Sequence, residues 1–314
     1  MSTAQLLRGE WLCQEPLARY TTWRVGGPAR QLYRPADVAD LGQYLAQHDP
    51  GEPLLWLGLG SNLLVRDGGF AGSVILTQGT LQGICRSDGH TVRVEAGVPC
   101  AKVARFCARH GLAGVEFLAG IPGTMGGALA MNAGAWGGET WHWVSAVETI
   151  DRSGQIWRRP PDEFTIGYRS VTGIAEEAFV AAHLTLQPGC SESSLRLIRD
   201  FLQQRNRSQP TRVASCGSVF RNPSDDYAAR LIDTAGLKGY RIGGAQVSQQ
   251  HANFIINTGS ATAADLEALI HYVATYVEAH YGIRLRPEVR IVGDPSQCNP
   301  IIAEPAIAAT REVG

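Results

Sequence analysis

The chain has 314 residues, 44% of them hydrophobic and 18% charged, which supplies a sizeable core and excludes a wholly disordered polymer. At roughly 100–200 residues per domain this length points to two or three domains. Its 28 Lys and Arg against 29 Asp and Glu leave a net charge of −1, which speaks against a general nucleic-acid binder. No apolar run reaches the ~18 residues of a membrane span. The segment Met1–Pro16 carries Arg8, Glu10 and Glu15 and lacks an apolar signal core. The 7 cysteines form no CxxC pair and the 8 histidines no HxxxH or HExxH, so free thiols in a reducing, cytoplasmic compartment are expected and a metal site is not.

In chain order, Leu54–Leu57 and Ser73–Leu76 read as short strands about a glycine turn, and Thr91–Ala96 as an alternating strand. Pro99–His110 has helical spacing, with Pro99 suited to its start and Gly111 to its end. Val144–Ile150 and Gln155–Arg158 flank a hairpin turn at Asp151–Gly154, and Phe179–Leu186 is a further strand. A boundary is expected near Pro188, where short strands give way to longer helices. Ser191–Arg205 reads as an amphipathic helix with Ser191 as N-cap. Asn206–Ser218 reads as a polar loop, and Tyr227–Ala235 as a short helix closed by Gly236. Thr262–His280 is the clearest helix, opened by a Thr262/Asp265 capping box. Leu285–Val292 reads as a last strand and Asp294–Gly314 as a loose tail. The class is α+β.

Glycine is the informative count: of 36, eight fall within Gly114–Gly138. Gly58 and Gly60 with Ser61 and Asn62 follow a strand, and successive N–H groups in such a turn can nest an anion, though a tight strand connection would look the same. The dinucleotide fingerprint lacks its third glycine. Gly120, Pro122, Gly123, Thr124, Gly126 and Gly127 form a run in which a diphosphate can lie against backbone; close packing of a Gly/Ala helix on a sheet is the alternative. Tyr168–Arg169 sets a guanidinium beside an aromatic ring, a grip for a carboxylate or phosphate or else a surface charge. Ser218 lies between Gly217 and Val219, outside any G-x-S-x-G elbow, as a proton donor or a turn residue. Glu288 sits between Arg286 and Arg290, aimed into a cleft or salt-bridged at a strand start.

Taken together and in order, these blocks resemble the family of UDP-N-acetylenolpyruvoylglucosamine reductases. The blocks are Thr21–Gly27 (TTWRVGG), Gly58–Leu64 (GLGSNLL), Ala119–Gly138, Tyr168–Ser170, Gly217–Pro223 (GSVFRNP), Ala235–Tyr240, Gly244–Ser248, His251–Phe254 and Pro287–Val289. The similarity runs from about Pro16 to Gly293. It implies an FAD-binding region of the vanillyl-alcohol-oxidase type over 1–187, in subdomains of about 1–77 and 78–187, and a C-terminal α+β substrate-binding domain over 188–293. It implies non-covalent FAD, since Gly26-Gly27 is followed by Pro28 where covalent members of the wider group often carry a histidine nearby. Arg24, Gly58, Gly60, Ser61, Asn62, the 120–127 run, Asn132 and Gly134 would hold the cofactor. Arg169, Ser218 and Glu288 match the catalytic set, and Tyr168, Arg169, Asn222, Lys238 and Gln246 the substrate contacts. The resemblance implies NADPH as hydride donor, an enolpyruvyl sugar nucleotide as acceptor, and no obligate protein partner. Only 48 residues separate Arg169 from Ser218, as in the compact branch without an extra substrate-closing loop. Ser208 stands where many members have a lysine, so Arg205, Arg207 or Arg212 are the substitutes for its phosphate contact. An oxidase on the same scaffold would need a base where this chain offers Ser218, and a non-catalytic nucleotide-binding protein would not need the Arg–Ser–Glu set.

Overall fold

The computed structural model describes residues 6–295. Strand β1 (Glu10–Pro16), strand β2 (Pro28–Arg34), helix α1 (Val38–Gln47), strand β3 (Leu54–Leu57), strand β4 (Leu63–Val65) and strand β5 (Phe70–Leu76) open the chain. Four of these strands form a sheet in the order β1-β2-β5-β3, antiparallel at the first pair and parallel at the others. Alternation sends Leu32 and Val74 to one face with Leu17 and Leu57, and Tyr33 and Ile75 to the other with Leu41, Tyr44 and Leu45 of α1. The second face also holds Ile150, Ala178 and Val180 of the next sheet, so the two bodies share a core.

That next sheet is antiparallel throughout. It contains β6 (Ile84–Asp88), β7 (Thr91–Glu95) and the strands Val144–Ile150, Ile156–Arg159 and Ala178–Thr185. Helices α2 (Cys100–Arg109), α3 (Met125–Ala130) and α4 (Ser191–Ser208) share one core with it through Val103, Cys107, Leu129 and Ile198. Helix α4 follows the expected boundary at Pro188 in sequence, yet packs into the core of this second sheet.

The third body is a small sheet of Ala214–Ser215, Ile255–Asn257, Ala245–Val247 and Arg241–Ile242. Helices α5 (Ala228–Thr234) and α6 (Ala263–Tyr281) complete it. The capping box of α6 is present: Thr262 Oγ1 accepts from Asp265 N at 3.0 Å, and Asp265 accepts from Thr262 N at 3.0 Å. Trp23 crosses from the first body into this core, fully buried, and its Nε1 donates to Ile255 O at 2.7 Å. The chain then returns, pairing Arg290–Val292 in parallel with β4.

Several boundaries differ from the sequence reading. Cys190, not Ser191, is the N-cap of α4, and the helix runs on through Ser208. The last strand is confined to Arg290–Val292, and the expected stretch before it instead makes a single antiparallel bridge, Pro287 to Phe220. Strands β1 and β2 and helix α1 were not foreseen. Residues 296–314 of the expected tail lie outside the described residues.

Candidate functional site

The two glycine stretches meet. Gly60 has φ +62°, and a Cβ there would fall 2.1 Å from Tyr20 O. A Cβ on Gly58 would fall 2.5 Å from Thr124 Oγ1, and one on Gly126 2.9 Å from Ala96 Cβ. Those glycines, with Gly120 against Trp136 and Gly134 against Gly138 O, are required by the protein's own packing. Gly123 and Gly127 differ: the nearest atoms to a Cβ are Ser61 Oγ at 3.4 Å and Thr124 Oγ1 at 3.9 Å. Their open side is where a ligand can approach bare backbone. The backbone N–H groups of Gly58 through Asn62 donate to no backbone acceptor among the described residues. A cradle of spare donors and missing side chains fits a diphosphate.

Beside it lies a cavity of about 400 Å³, lined on one wall by Thr21, Arg24, Ser61 and Pro122 and on the other by Arg205, Arg212, Ser215 and Gly217. Among the described residues, no carboxylate lines it. Burial lowers the Arg205 pKa, as expected for a cation withdrawn from water without an acidic partner. Ser208, by contrast, ends α4 and gives its hydroxyl to Gln204 O at 3.0 Å.

Arg169 sits at the turn of the hairpin Thr165–Gly167/Ser170–Thr172, with φ +53°. Arg24 (φ +59°) and Asn132 (φ +41°) share this rare backbone state, so strain collects at expected site residues. The Arg169 guanidinium donates to Gly134 O at 2.8 Å and Asn132 O at 3.5 Å, and its Nε lies 3.2 Å from Glu288 Oε1. The Tyr168 ring centroid is 5.2 Å from its Cζ. Asn132 is itself held, donating to Glu139 at 3.0 Å and Gly167 O at 3.2 Å.

Glu288 arrives just before the returning strand. Its N–H donates to O of Val219, the residue after Ser218, at 2.7 Å, and its carbonyl accepts from Asn62 Nδ2 at 3.1 Å. Burial raises its pKa, and Arg169 and then Arg221 oppose that rise. The serine loop is pinned by Asn253, which sequence reasoning gave no role. Its Oδ1 accepts from Phe220 N at 2.9 Å, its Nδ2 donates to Phe220 O at 2.8 Å, and its backbone O accepts from Val219 N at 2.9 Å. Asn253 lies inside the His251–Phe254 block, but nothing local marks an asparagine as buried. Arg169 and Glu288 are therefore brought together, Ser218 is the chain neighbour of the residue that Glu288 N bonds, and Asn62 ties the glycine turn to Glu288.

The remaining expected substrate contacts are occupied locally. Asn222 accepts from Ala228 N at 3.1 Å at the start of α5, Lys238 pairs with Asp233 at 2.6 Å, and Gln246 donates to Gly239 O at 3.1 Å. None of the hydrogen bonds or ion pairs found among the described residues links them to Arg169, Ser218 or Glu288.

Residues 30–159 match the family model of an FAD binding domain, and residues 209–292 that of the UDP-N-acetylenolpyruvoylglucosamine reductase C-terminal domain. The chain is 59% identical over 286 residues to the UDP-N-acetylenolpyruvoylglucosamine reductase of Alkalilimnicola ehrlichii, covering 91% of this chain and 96% of that protein. It is 56% identical to the reductase of Methylococcus capsulatus, covering 93% and 96%. The crystal structure of the Thermus caldophilus reductase superposes with a TM-score of 0.75 at 34% identity, covering 91% of this chain and 99% of that one. With both halves matched by family models and whole-length relatives above half identity, the chain belongs to the UDP-N-acetylenolpyruvoylglucosamine reductase family.

Proposed function

We propose that this chain catalyses the NADPH-dependent, FAD-dependent reduction of UDP-N-acetylglucosamine enolpyruvate to UDP-N-acetylmuramate, in peptidoglycan precursor synthesis. The observation that carries the reading is the convergence of Arg169 and Glu288 at 3.2 Å, with Glu288 backbone-bonded to the residue after Ser218. The bare backbone at Gly123 and Gly127 and the spare N–H groups of 58–62 fit the FAD diphosphate. When bound, the flavin supplies hydride acceptance from NADPH and hydride donation to the vinyl carbon.

The protein residues handle charge and protons. Arg169 offers fixed positive charge where the substrate carboxylate gains negative charge, and its contacts to Gly134 and Asn132 pre-set its direction. Burial favours the protonated form of Glu288, and a neutral carboxyl can donate to that same carboxylate instead of repelling it. Ser218 then delivers its proton to the carbon next to the carboxylate, completing the lactyl ether; positioning by Asn253 compensates for weak acidity against a strongly basic centre. Tyr168, Asn222, Lys238 and Gln246 serve the sugar nucleotide once it displaces their local partners. Arg205 and Arg212, which line the cavity, take the phosphate contact that Ser208 cannot. The substrates are small molecules; the balanced charge and scattered thiols support a cytoplasmic enzyme without an obligate protein or nucleic-acid partner. No helix among the described residues is long and apolar enough to cross a membrane.

Anaerobic reduction by NADPH followed by addition of the enolpyruvyl sugar nucleotide tests the reading through flavin absorbance. The oxidised band returns in the parent. In Ser218→Ala, reduction persists and reoxidation slows by orders of magnitude; equal reoxidation in the two proteins removes Ser218 from the reaction.

A further inference from the structure

Arg221 follows Ser218 by three residues on a short antiparallel pair. Phe220 bridges Pro287, Arg221 N donates to Arg286 O at 2.9 Å, and Glu288 N donates to Val219 O at 2.7 Å. In such a pair alternate residues share a face, so Val219 and Arg221 stand on the face of Arg286 and Glu288. Arg221 is then the diagonal neighbour of Glu288, a separation that long side chains span. The Arg221 Nε is buried and has no hydrogen-bond partner. A buried guanidinium N–H without a partner is costly.

We propose that Arg221 is a positioning residue, a second cation that faces Glu288 across this strand pair and governs the ionisation of its carboxyl. Three groups act on that carboxyl, Arg169 from the hairpin turn, Arg221 from the strand pair and Cys216 from the loop before Ser218, and Arg286 stands on the same face of the pair. Arg286 is exposed. Burial, reinforced by Glu288, holds the Cys216 thiol well above its ordinary range, so it stays neutral. Arg169 and Arg221 are the cations that oppose burial at Glu288. Arg169 also bonds to two backbone carbonyls, whereas Arg221 Nε bonds to nothing. The consequence for turnover rests on the reductase reading; the consequence for titration does not.

The test is infrared titration of the Glu288 carboxyl in the FAD holoenzyme, with its band assigned by loss in Glu288→Gln. Arg221→Gln is expected to move that titration up by about one pH unit, and Arg221→Lys to leave it near the parent. Arg221→Met keeps the aliphatic stem and replaces Arg221→Gln if the latter fails to fold. In parallel, the pH profile of flavin reoxidation by the enolpyruvyl sugar nucleotide shifts the same way, while reduction by NADPH does not. An unchanged Glu288 titration in the neutral variant overturns the proposal. A shifted titration with no reoxidation even in the parent upholds Arg221 and overturns the reductase reading.

Discussion

Arg169 Nε and Glu288 Oε1 stand 3.2 Å apart, the first at a hairpin turn of the cofactor side and the second at the chain's return from the third body. Both side chains are mostly withdrawn from water, and burial outweighs the two guanidinium groups in setting the Glu288 pKa above 4.5. The native state thus holds this proton more tightly than the unfolded chain. The associated stability is complete below about pH 4.5 and is lost as pH rises through the native value. Glu288→Gln should therefore gain thermal stability over the parent between about pH 5 and pH 8, with the smallest difference at the acid end. Melting curves across that range check it; a parent that gains on the variant with rising pH would mean that the ion pair outweighs burial.

Gly123 and Gly127 separate cofactor contact from folding. An added Cβ meets nothing closer than 3.4 Å at either position, and Gly127 lies inside α3, where Ala is favoured over Gly by up to about 1 kcal/mol. Gly127→Ala should fold at least as stably as the parent yet bind FAD at least about tenfold more weakly, a loss of about 1.4 kcal/mol. Gly60→Ala should instead lose stability with or without flavin, because its φ of +62° and the 2.1 Å approach to Tyr20 O belong to the fold. Apoprotein melting and flavin titration of the pair decide the matter.

What the sequence made legible follows from locality. The α6 capping box and the α2 stripe were readable because they are local patterns, and the glycine blocks because few backbones need so many. Strand β2 and helix α1 were missed: β2 divides Leu32 and Tyr33 between two cores, which reads as no single apolar face. The expected catalytic set came from resemblance and not from spacing, since the return of Arg290–Val292 to β4 leaves no local trace. Asn62 shows the limit most clearly. Its Nδ2 holds Glu288 O, a link between the ends of the chain that only the folded register supplies.

Asn253 is expected to matter as much for Ser218 as for stability. Its amide satisfies both backbone groups of Phe220 in a site 3% exposed. Asn253→Ala strands a buried donor and a buried acceptor, a cost of about 2–4 kcal/mol. Asn253→Asp keeps the acceptor and loses the donor. Chemical denaturation should rank parent above both variants. Flavin reoxidation should fall in both while reduction by NADPH holds; full reoxidation in Asn253→Asp would show that the serine loop keeps its place without the clamp.

Trp23 joins the third body to the first, and that junction forms one edge of the cavity. The indole is fully buried in the core with Leu266, Ile270 and Val273, its Nε1 donates to Ile255 O at 2.7 Å, and its own carbonyl accepts from Asn257 at 2.9 Å. Trp23→Phe keeps most of the packing and strands one buried carbonyl, costing about 1–3 kcal/mol. Trp23→Ala adds a cavity and should cost about 3–5 kcal/mol. The loss falls on the seam and not on either sheet, so Trp23→Ala should loosen the third body while the first two keep their shared core. Limited proteolysis should then cut the stretch between Gln209 and Val213, where the chain leaves α4 for the third body. A Trp23→Ala protein that unfolds in one step, with no new cleavage there, would show that the returning strand Arg290–Val292 and the links of Arg66 to Glu267 and of Asp67 to the start of α6 hold the bodies together without the indole.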